Sequence, residues 1–167
     1  MSANAPTTTL DANFSSPEAT PTPWEQGQHI LEDAGTFWIS TVRPDGRPHV
    51  TPLIAVWHDG AIYFTTGAGE RKAKNLAANS NCILTTGTND LNDGLDVVVE
   101  GEAVRVTDDD LLRRLAALWE SKHGWKFDAH DGEFHHEAGS ALVFEVAPVK
   151  AFGFGKGEPY SQTRWRF

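Results

Sequence analysis

The sequence predicts an α+β fold built on an antiparallel β-barrel or sandwich. Short runs rich in β-branched and aromatic residues alternate with turn residues through most of the chain, and only two or three isolated segments have helical spacing. The length of 167 residues fits one domain of about 150 residues with a short tail left over. We therefore expect about seven strands, joined mostly by hairpins, with a few helices outside the sheet.

A flexible N-terminal arm is predicted over residues 1–23, followed by one domain over residues 24–167. The arm consists mainly of Ser, Thr, Ala, Asn and Pro, with Leu10 and Phe14 as its sizeable apolar groups. This apolar surface is too small to offset an ordering cost of about 1–2 kcal/mol per residue. The alternative is that Leu10 and Phe14 dock the arm onto the body or onto a partner subunit.

The first helix is predicted near residues 23–34. Thr22 supplies a helix N-cap, Pro23 occupies the first helical position, and Glu25 stands three residues after the cap. Gly35 ends the helix.

Strands and two further helices follow in order along the chain. Strands are predicted at 36–42, 48–57 and 61–66, a helix at 70–79, strands at 82–86 and 95–106, a helix from 107 to about 122, and strands at 141–146 and 149–154. Gly124 stops the last helix.

Composition excludes several classes of protein. The chain has 14 Lys and Arg against 23 Asp and Glu, a net charge of −9, which is the wrong sign for binding mainly to nucleic acid or to an anionic membrane. No run approaches the ~18 apolar residues of a membrane span. A single cysteine, Cys82, cannot form an intramolecular disulfide, and the N-terminus does not resemble a secretory signal. We expect a soluble, cytoplasmic protein.

Residues 64–72 carry the pattern that most resembles a binding site. The predicted strand at 61–66 runs through a glycine-bearing loop into the predicted helix at 70–79, which carries Arg71 and Lys72 in its first turn. Backbone N–H groups at a helix start bind anions, and two cations there oppose the helix dipole unless an anion is present. The pattern therefore predicts a phosphate site. The alternative is a solvated pair of surface cations.

The strand at 48–57 carries prolines at positions 48 and 52, which cannot donate backbone hydrogen bonds. Such a strand lies at a sheet edge or beside an interruption. Its free backbone groups near Val50, Thr51, Leu53 and Ile54 are suited to the edge of a flat heterocycle. A capped edge strand without a ligand is the alternative.

Three blocks of sequence resemble one known family. They are ISTVRPDGRPHVTPLIAVWHDGAIYFTTGAGERKAKNLAAN, VVVEGEAVRVTDDDLL and the ending FGFGKGEPYSQTRWRF. In this order they resemble the pyridoxamine 5′-phosphate oxidase-like, flavin- and deazaflavin-binding split β-barrel family over roughly residues 24–167. The resemblance implies a homodimer of six- or seven-stranded split barrels, with FMN or the deazaflavin coenzyme F-420 in two clefts between the subunits.

The resemblance also implies which residues contact the cofactor. Thr51, Pro52, Leu53 and Ile54 match the strand that holds the ring, Phe64 and Thr65 match the end of the next strand, Arg71 and Lys72 match the phosphate-gripping pair, and Asp96, Phe154 and Arg164 or Arg166 match further contacts. No side chain is assigned as a catalytic acid or base, because the bound ring carries the hydride.

Several positions depart from the oxidase itself. Glu70 stands where the oxidase has serine, Asp96 where it has glutamine, and Phe154 where it has tryptophan. The substrate-holding Arg-Leu-His-Asp-Arg stretch is replaced by Thr-Arg-Trp-Arg-Phe at 163–167. We therefore expect an oxidoreductase acting on a small organic substrate other than pyridoxamine phosphate.

Two questions stay open at this level. For F-420, Lys74 and Lys156 are candidates to hold the acidic tail, and the sequence does not choose between FMN and F-420. A non-catalytic flavin- or haem-binding protein is the alternative function, with His49 or the histidines at 130–136 as iron ligands. The histidines and carboxylates at 123–137 lack the usual metal-ligand spacings, so no metal site is predicted there.

Overall fold

Eleven β-strands and three α-helices make up the computed structural model, which describes residues 5–167. The strands are β1 (Thr7–Leu10), β2 (Phe37–Val42), β3 (Pro48–Leu53), β4 (Ala55–His58), β5 (Ala61–Thr66), β6 (Asn81–Thr86), β7 (Leu95–Val106), β8 (Asp128–His130), β9 (Glu133–His136), β10 (Gly139–Gly155) and β11 (Ser161–Arg166). The helices are α1 (Trp24–Asp33), α2 (Arg71–Ala78) and α3 (Asp109–His123), and a 3-10 helix spans Ala12–Phe14.

All the strand pairs are antiparallel, and the main path of the sheet runs β1-β11-β10-β7-β6-β2-β3. The β4–β5 pair joins the same sheet through β10, and so does the β8–β9 hairpin. Within residues 5–167 the sheet does not close, which gives a split barrel. The predicted α+β antiparallel class is therefore confirmed.

The core lies inside the curled sheet and under α3. The inner cluster is formed by alternate strand residues together with α1, and includes Leu31, Phe37, Ile39, Leu84, Val97, Val99, Ala151 and Trp165. A second cluster joins α3 to the sheet and to the β8–β9 hairpin, and includes Leu112, Leu115, Trp119, Phe134 and Val143. Burial of these side chains supplies about 1.5–3 kcal/mol each and fixes which side of each strand faces inward.

The proline-marked strand is divided in two. β3 pairs with β2, whereas β4 pairs with β5, and Ile54 lies between them. The single strand predicted over 48–57 is therefore wrong, because the chain passes from one half of the sheet to the other at this corner. β3 is the last strand of the main path, as the prolines indicated.

Two further predictions, the strands at 141–154 and the start of the first helix, also differ from the structure. The strands expected at 141–146 and 149–154 form one strand, β10, with a register irregularity between Pro148 and Lys150. Helix α1 begins at Trp24 with Pro23 at the cap and no side-chain hydrogen bond there, so the predicted Thr22 cap is wrong. The Thr22 backbone bonds instead to β11, where its N–H donates to Thr163 Oγ1 at 2.9 Å.

Part of the predicted N-terminal arm is a strand. Thr7–Leu10 pair along β11, and the Asp11 N–H donates to the Gln162 carbonyl at 2.8 Å. Leu10 is half-buried, whereas Phe14 is exposed. The prediction that the arm lacks regular structure is wrong for these residues, because backbone hydrogen bonds to a free sheet edge do not require large apolar side chains. The domain boundary at 23/24 stays a prediction, and residues 1–4 lie outside the described residues.

None of the helices in residues 5–167 combines the length and apolar character needed to cross a lipid bilayer.

Candidate cofactor cleft

A cleft of about 540 Å³ opens where β3 and β5 end. One wall consists of the ends of these strands and the turn that leads into α2. The other lining residues come from the segment after α3, from the end of β9 and from the start of β10. The cleft is lined by Thr36, Pro52, Leu53, Ile54, Thr65, Thr66, Gly67, Glu70, Trp125, Phe127, His136, Ala138, Ser140 and Ala141.

The strand wall brings together four of the predicted contact residues. Pro52, Leu53 and Ile54 lie at the corner between β3 and β4, and Thr65 lies on β5. β3 ends the main path of the sheet, so within residues 5–167 its outer backbone edge has no strand partner. The Thr65 hydroxyl donates to the Leu142 carbonyl at 3.0 Å, which fixes this side chain against β10.

Thr51 and Phe64 lie beside this wall rather than on it. Thr51 pairs with Ile39 across β2 and β3 and is half-buried. The Phe64 side chain is fully buried and stacks on Phe144 at 5.4 Å between ring centroids. Contact with a cofactor at these positions is therefore left to the backbone, and both assignments stay predictions.

Glu70 joins the glycine turn to the start of α2. Its Oε1 accepts a hydrogen bond from the Gly67 N–H at 2.8 Å, and its Oε2 forms an ion pair with Lys72 Nζ. The Lys72 side chain is 8% exposed, whereas the Glu70 side chain is 51% exposed. Burial alone raises the pKa of Glu70, but the hydrogen bonds from Lys72 and Gly67 outweigh it, and the pKa is lowered. This carboxyl group is therefore charged at neutral pH.

Arg71 and Lys72 do not act as a pair. Consecutive residues of an α-helix point about 100° apart. Lys72 accordingly faces inward toward Glu70, while Arg71 is exposed and borders a separate hollow with Arg43, Pro44 and Asp45. The two side chains therefore point in different directions, and their predicted grip on one phosphate stays a prediction.

The aromatic wall of the cleft, formed by Trp125 and Phe127, was not predicted from the sequence. Trp125 follows the Gly124 cap of α3 and is 56% exposed. Phe127 stacks on the fully buried Phe134 at 4.8 Å between ring centroids, and Phe134 packs edge-on against Trp119 at 5.6 Å. The wall is thus anchored in the core. The signal available in the sequence was two aromatic residues placed just after a helix stop in a polar stretch.

His136 adds a polar group to the aromatic wall. Its Nδ1 accepts a hydrogen bond from the Ala138 N–H at 3.1 Å. In the neutral ring this bond leaves the proton on Nε2, which can then donate. The imidazole also packs edge-on against Phe127 at 5.6 Å.

The remaining predicted contacts lie elsewhere on the sheet. Asp96 accepts a hydrogen bond from the Thr88 N–H and forms an ion pair with Lys156 at 2.9 Å. It lies opposite Phe154, while Arg164 and Arg166 are on β11. β7, β10 and β11 are three, four and five strands from β3, about 14, 19 and 24 Å along the sheet. None of these four side chains lines the cleft, and their contact with a cofactor stays a prediction.

The outer face of the sheet extends from the cleft residues at the β3 end to the predicted contacts on β10 and β11. It is formed by outward side chains of successive strands at paired positions. Across the strands the face is lined by Pro52, Trp38, Thr85, Val98, Phe152 and Arg164 in one row, and by Val50, Ser40, Ile83, Glu100, Lys150 and Arg166 in the next. Trp38 is 52% and Val50 is 53% exposed. A hollow of about 500 Å³ lies on this face beside Val42, Ile83 and Val149.

The histidines at 123–136 do not form one cluster and make separate contacts. His123 Nε2 lies 3.0 Å from the Ala55 carbonyl, and His130 and His135 stack with ring centroids 3.9 Å apart. His49 lies on β3, opposite Thr41. In the described part of the chain no three His, Cys, Asp or Glu side chains come together as a metal site.

Comparisons with known proteins agree with this fold. A family model described as pyridoxamine 5′-phosphate oxidase matches residues 23–154. No curated protein matches the chain. Similar solved structures include a FAD-binding protein from Mesorhizobium loti, with 15% identity and a TM-score of 0.60 over 87% of this chain and 96% of that one.

Two further solved structures share the fold. A haem-binding protein from Mycobacterium smegmatis has 15% identity and a TM-score of 0.64 over 86% of this chain and 58% of that one. An F420 reductase has 20% identity and a TM-score of 0.53 over 74% of this chain and 94% of that one. At these identities the likeness concerns the fold.

Proposed function

The chain belongs to the pyridoxamine 5′-phosphate oxidase family, and on that basis we propose that it binds FMN or coenzyme F-420 in the cleft between β3, β5 and α2. It acts as an oxidoreductase that transfers hydride to or from a small organic molecule. The observation that carries this proposal is the coincidence of one cleft with Pro52, Leu53, Ile54 and Thr65, four positions that the family resemblance assigns to the cofactor.

The residues present fit such a group. Pro52, Leu53 and Ile54 offer apolar surface and backbone atoms at a sheet edge, which suits the rim of a planar ring. The start of α2 offers backbone N–H groups to a phosphate, and the buried amine of Lys72 would add a positive charge once it is released from Glu70. When bound, the ring supplies the hydride chemistry, and the protein supplies orientation and shelter from water.

A second copy of the chain completes the site in this proposal. Asp96, Phe154, Arg164 and Arg166 do not line the cleft of their own chain. A two-fold dimer formed through the outer face would bring the β11 end of one copy beside the β3 end of the other. The exposed apolar side chains of this face, such as Trp38 and Val50, support such contact.

The aromatic wall then receives the second reactant. Trp125 and Phe127 line the same cleft as Pro52, Leu53 and Ile54, so a flat molecule stacked on Trp125 would be close to the cofactor ring. The Nε2–H of His136 is available to a carbonyl or similar oxygen of that molecule. We therefore favour planar, oxygen-bearing organic substrates.

A non-catalytic haem-binding protein is the second candidate. Its support is His136, an imidazole that lines the cleft, together with the shared fold of the mycobacterial haem-binding protein. In this case the histidine would be an iron ligand rather than a hydrogen-bond donor.

One set of titrations tests these functions. The absorption spectrum of the purified protein is recorded, and FMN, F-420 and haemin are then titrated separately. We expect saturable binding of FMN or F-420, and a bound chromophore that bleaches with a reductant and recovers with an organic acceptor. A Soret band with haemin and no flavin binding would favour the second candidate, and no binding of any of the three would contradict both.

A further inference from the structure

Glu70 occupies the position at which a ligand phosphate would be expected. Its carboxylate lies at the start of α2, where it accepts the Gly67 N–H and neutralises the buried amine of Lys72. An N–H group before a helix and a lysine are the donors that a phosphate uses. The chain thus carries its own anion in the subsite that the proposed function assigns to the cofactor phosphate, and the inference below rests on that function.

The net charge of the side chains around this anion subsite is close to zero. Lys72 is balanced by Glu70, and Arg71 points to the separate hollow beside Arg43. An incoming phosphate would therefore meet a carboxylate rather than a free ammonium group. Like charges at hydrogen-bond distance oppose each other strongly where solvent is partly excluded.

The side chains of Lys72 and Glu70 differ in how freely they can move. Lys72 is held by burial with 8% of its side chain exposed, whereas half of the Glu70 side chain is in solvent. Rotation of Glu70 toward water would free both the Lys72 amine and the Gly67 N–H without moving the backbone. Glu70 is thus the group that must leave before a phosphate binds.

We propose that Glu70 is a specificity-determining residue that fills the anion subsite and lowers the preference of the cleft for phosphorylated ligands. The protein therefore discriminates little between a flavin or deazaflavin that carries a phosphate and the corresponding riboside that lacks it. Ligands with a neutral or short polar tail at this point are accepted while Glu70 stays in place.

The test compares ligand pairs that differ in the phosphate. FMN and riboflavin, and F-420 and its phosphate-free deazaflavin riboside, are titrated into the full-length protein and into Glu70→Gln and Glu70→Ser. We expect both variants to bind the phosphorylated member at least about tenfold more tightly than the original protein, a change of about 1.4 kcal/mol. Affinity for the riboside should change less than about threefold.

Glu18→Gln is the matched control, because it removes the same charge from an exposed side chain. Glu18→Gln should leave unchanged the ratio of the affinities for FMN and riboflavin, and likewise the ratio for F-420 and its riboside. If the original protein binds the chromophores and the phosphate preference is the same in the Glu70 variants, the inference is wrong while the proposed function stands.

Inorganic phosphate gives a readout that does not depend on a chromophore. Phosphate is added at a few times its dissociation constant for Glu70→Gln. At this concentration the Tm of Glu70→Gln should rise by about 2–4 °C more than the Tm of the original protein or of Glu18→Gln. Equal shifts in all three proteins would contradict the inference. Equal shifts together with no binding of any flavin would contradict the proposed function as well.

Discussion

The Cα of Gly153 on β10 lies directly against the indole of Trp165 on β11. A methyl group added at Gly153 would be 3.0 Å from Trp165 Cζ3 and nearer still to Cη2. Trp165 is fully buried, and its Nε1 donates to the Thr22 carbonyl at 3.0 Å, so the ring is not free to move aside. We expect Gly153→Ala to lower the free energy of unfolding by about 1–3 kcal/mol, as measured by denaturant unfolding.

Gly35→Ala is the control for this overpacking. Gly35 is exposed, and nothing lies within 4 Å of an added methyl group. Its unfolding free energy should change by less than about 0.5 kcal/mol. Equal losses in the two variants would show that the contact with Trp165 is not the cause.

Arg71→Ala should weaken binding of FMN or F-420 by about 1–3 kcal/mol, because the exposed guanidinium can turn from its hollow beside Arg43 toward a bound phosphate and donate a charge-assisted hydrogen bond. Arg71 is exposed, so the Tm should stay the same. Binding is measured by quenching of the chromophore fluorescence. Arg113→Ala, an exposed arginine on α3, is the control, and equal affinity in both variants and the original protein would remove Arg71 from the site.

Trp125→Ala should impair use of a flat organic acceptor and spare cofactor binding. Aromatic stacking contributes about 0.5–1.5 kcal/mol, so the KM for menadione, a planar quinone, should rise about three- to tenfold. Trp125→Phe should restore most of the loss, and Tyr160→Ala, an exposed aromatic outside the cleft lining, should have no effect. A KM unchanged in Trp125→Ala would assign the acceptor to another surface.

Trp38→Lys should separate the proposed dimer into monomers in light scattering coupled to size-exclusion chromatography. The substitution places a charge on the outer face, where it would be buried by the partner copy. Leu91→Lys is the control, because Leu91 is 85% exposed in a loop. Monomers already present in the unsubstituted protein at micromolar concentration would contradict the dimer.

The Glu70–Lys72 pair should make a small contribution to stability that depends on pH. The pKa of Glu70 is lowered in the folded state, so the unfolded chain binds more protons as the pH falls below an ordinary glutamate pKa of about 4.3. The stabilisation is therefore present above about pH 4.5 and is lost as the pH falls through the lowered pKa. Because Glu70 is half exposed, we expect at most about 1 kcal/mol.

Glu70→Gln provides the comparison for this pH dependence. Its Tm should lie below that of the original protein near pH 7, and the two should converge toward pH 3, as followed by circular dichroism. A difference that stays constant between pH 7 and pH 3 would mean that ionisation of Glu70 is not responsible.

Local patterns predicted most of the sheet and one wall of the cleft. The bounds of β7 and the Gly124 stop of α3 agree with the sequence, because alternation and glycine act locally. The break at Ile54 and the short β8–β9 hairpin depend on which strands become neighbours. The sequence does not encode that choice locally.

The same distinction applies to the site. The glycine turn and the start of α2 were recognisable from residues 64–72, but the pairing of Lys72 with Glu70 depends on which side of α2 is buried. Trp125 reaches the cleft through packing of Phe127 on Phe134, two residues in separate elements. Contacts of this kind follow from tertiary structure, so the aromatic wall was not predicted.

The seventeen residues of β10 have a consequence for how the chain is made. This strand pairs with β5, β7, β9 and β11, and therefore joins both halves of the sheet. Until Gly155 has left the ribosome, the strands synthesised earlier lack their shared neighbour. We expect assembly of the barrel to begin only after β10 has been synthesised, so that the unpaired edges of the earlier strands stay exposed to aggregation until then.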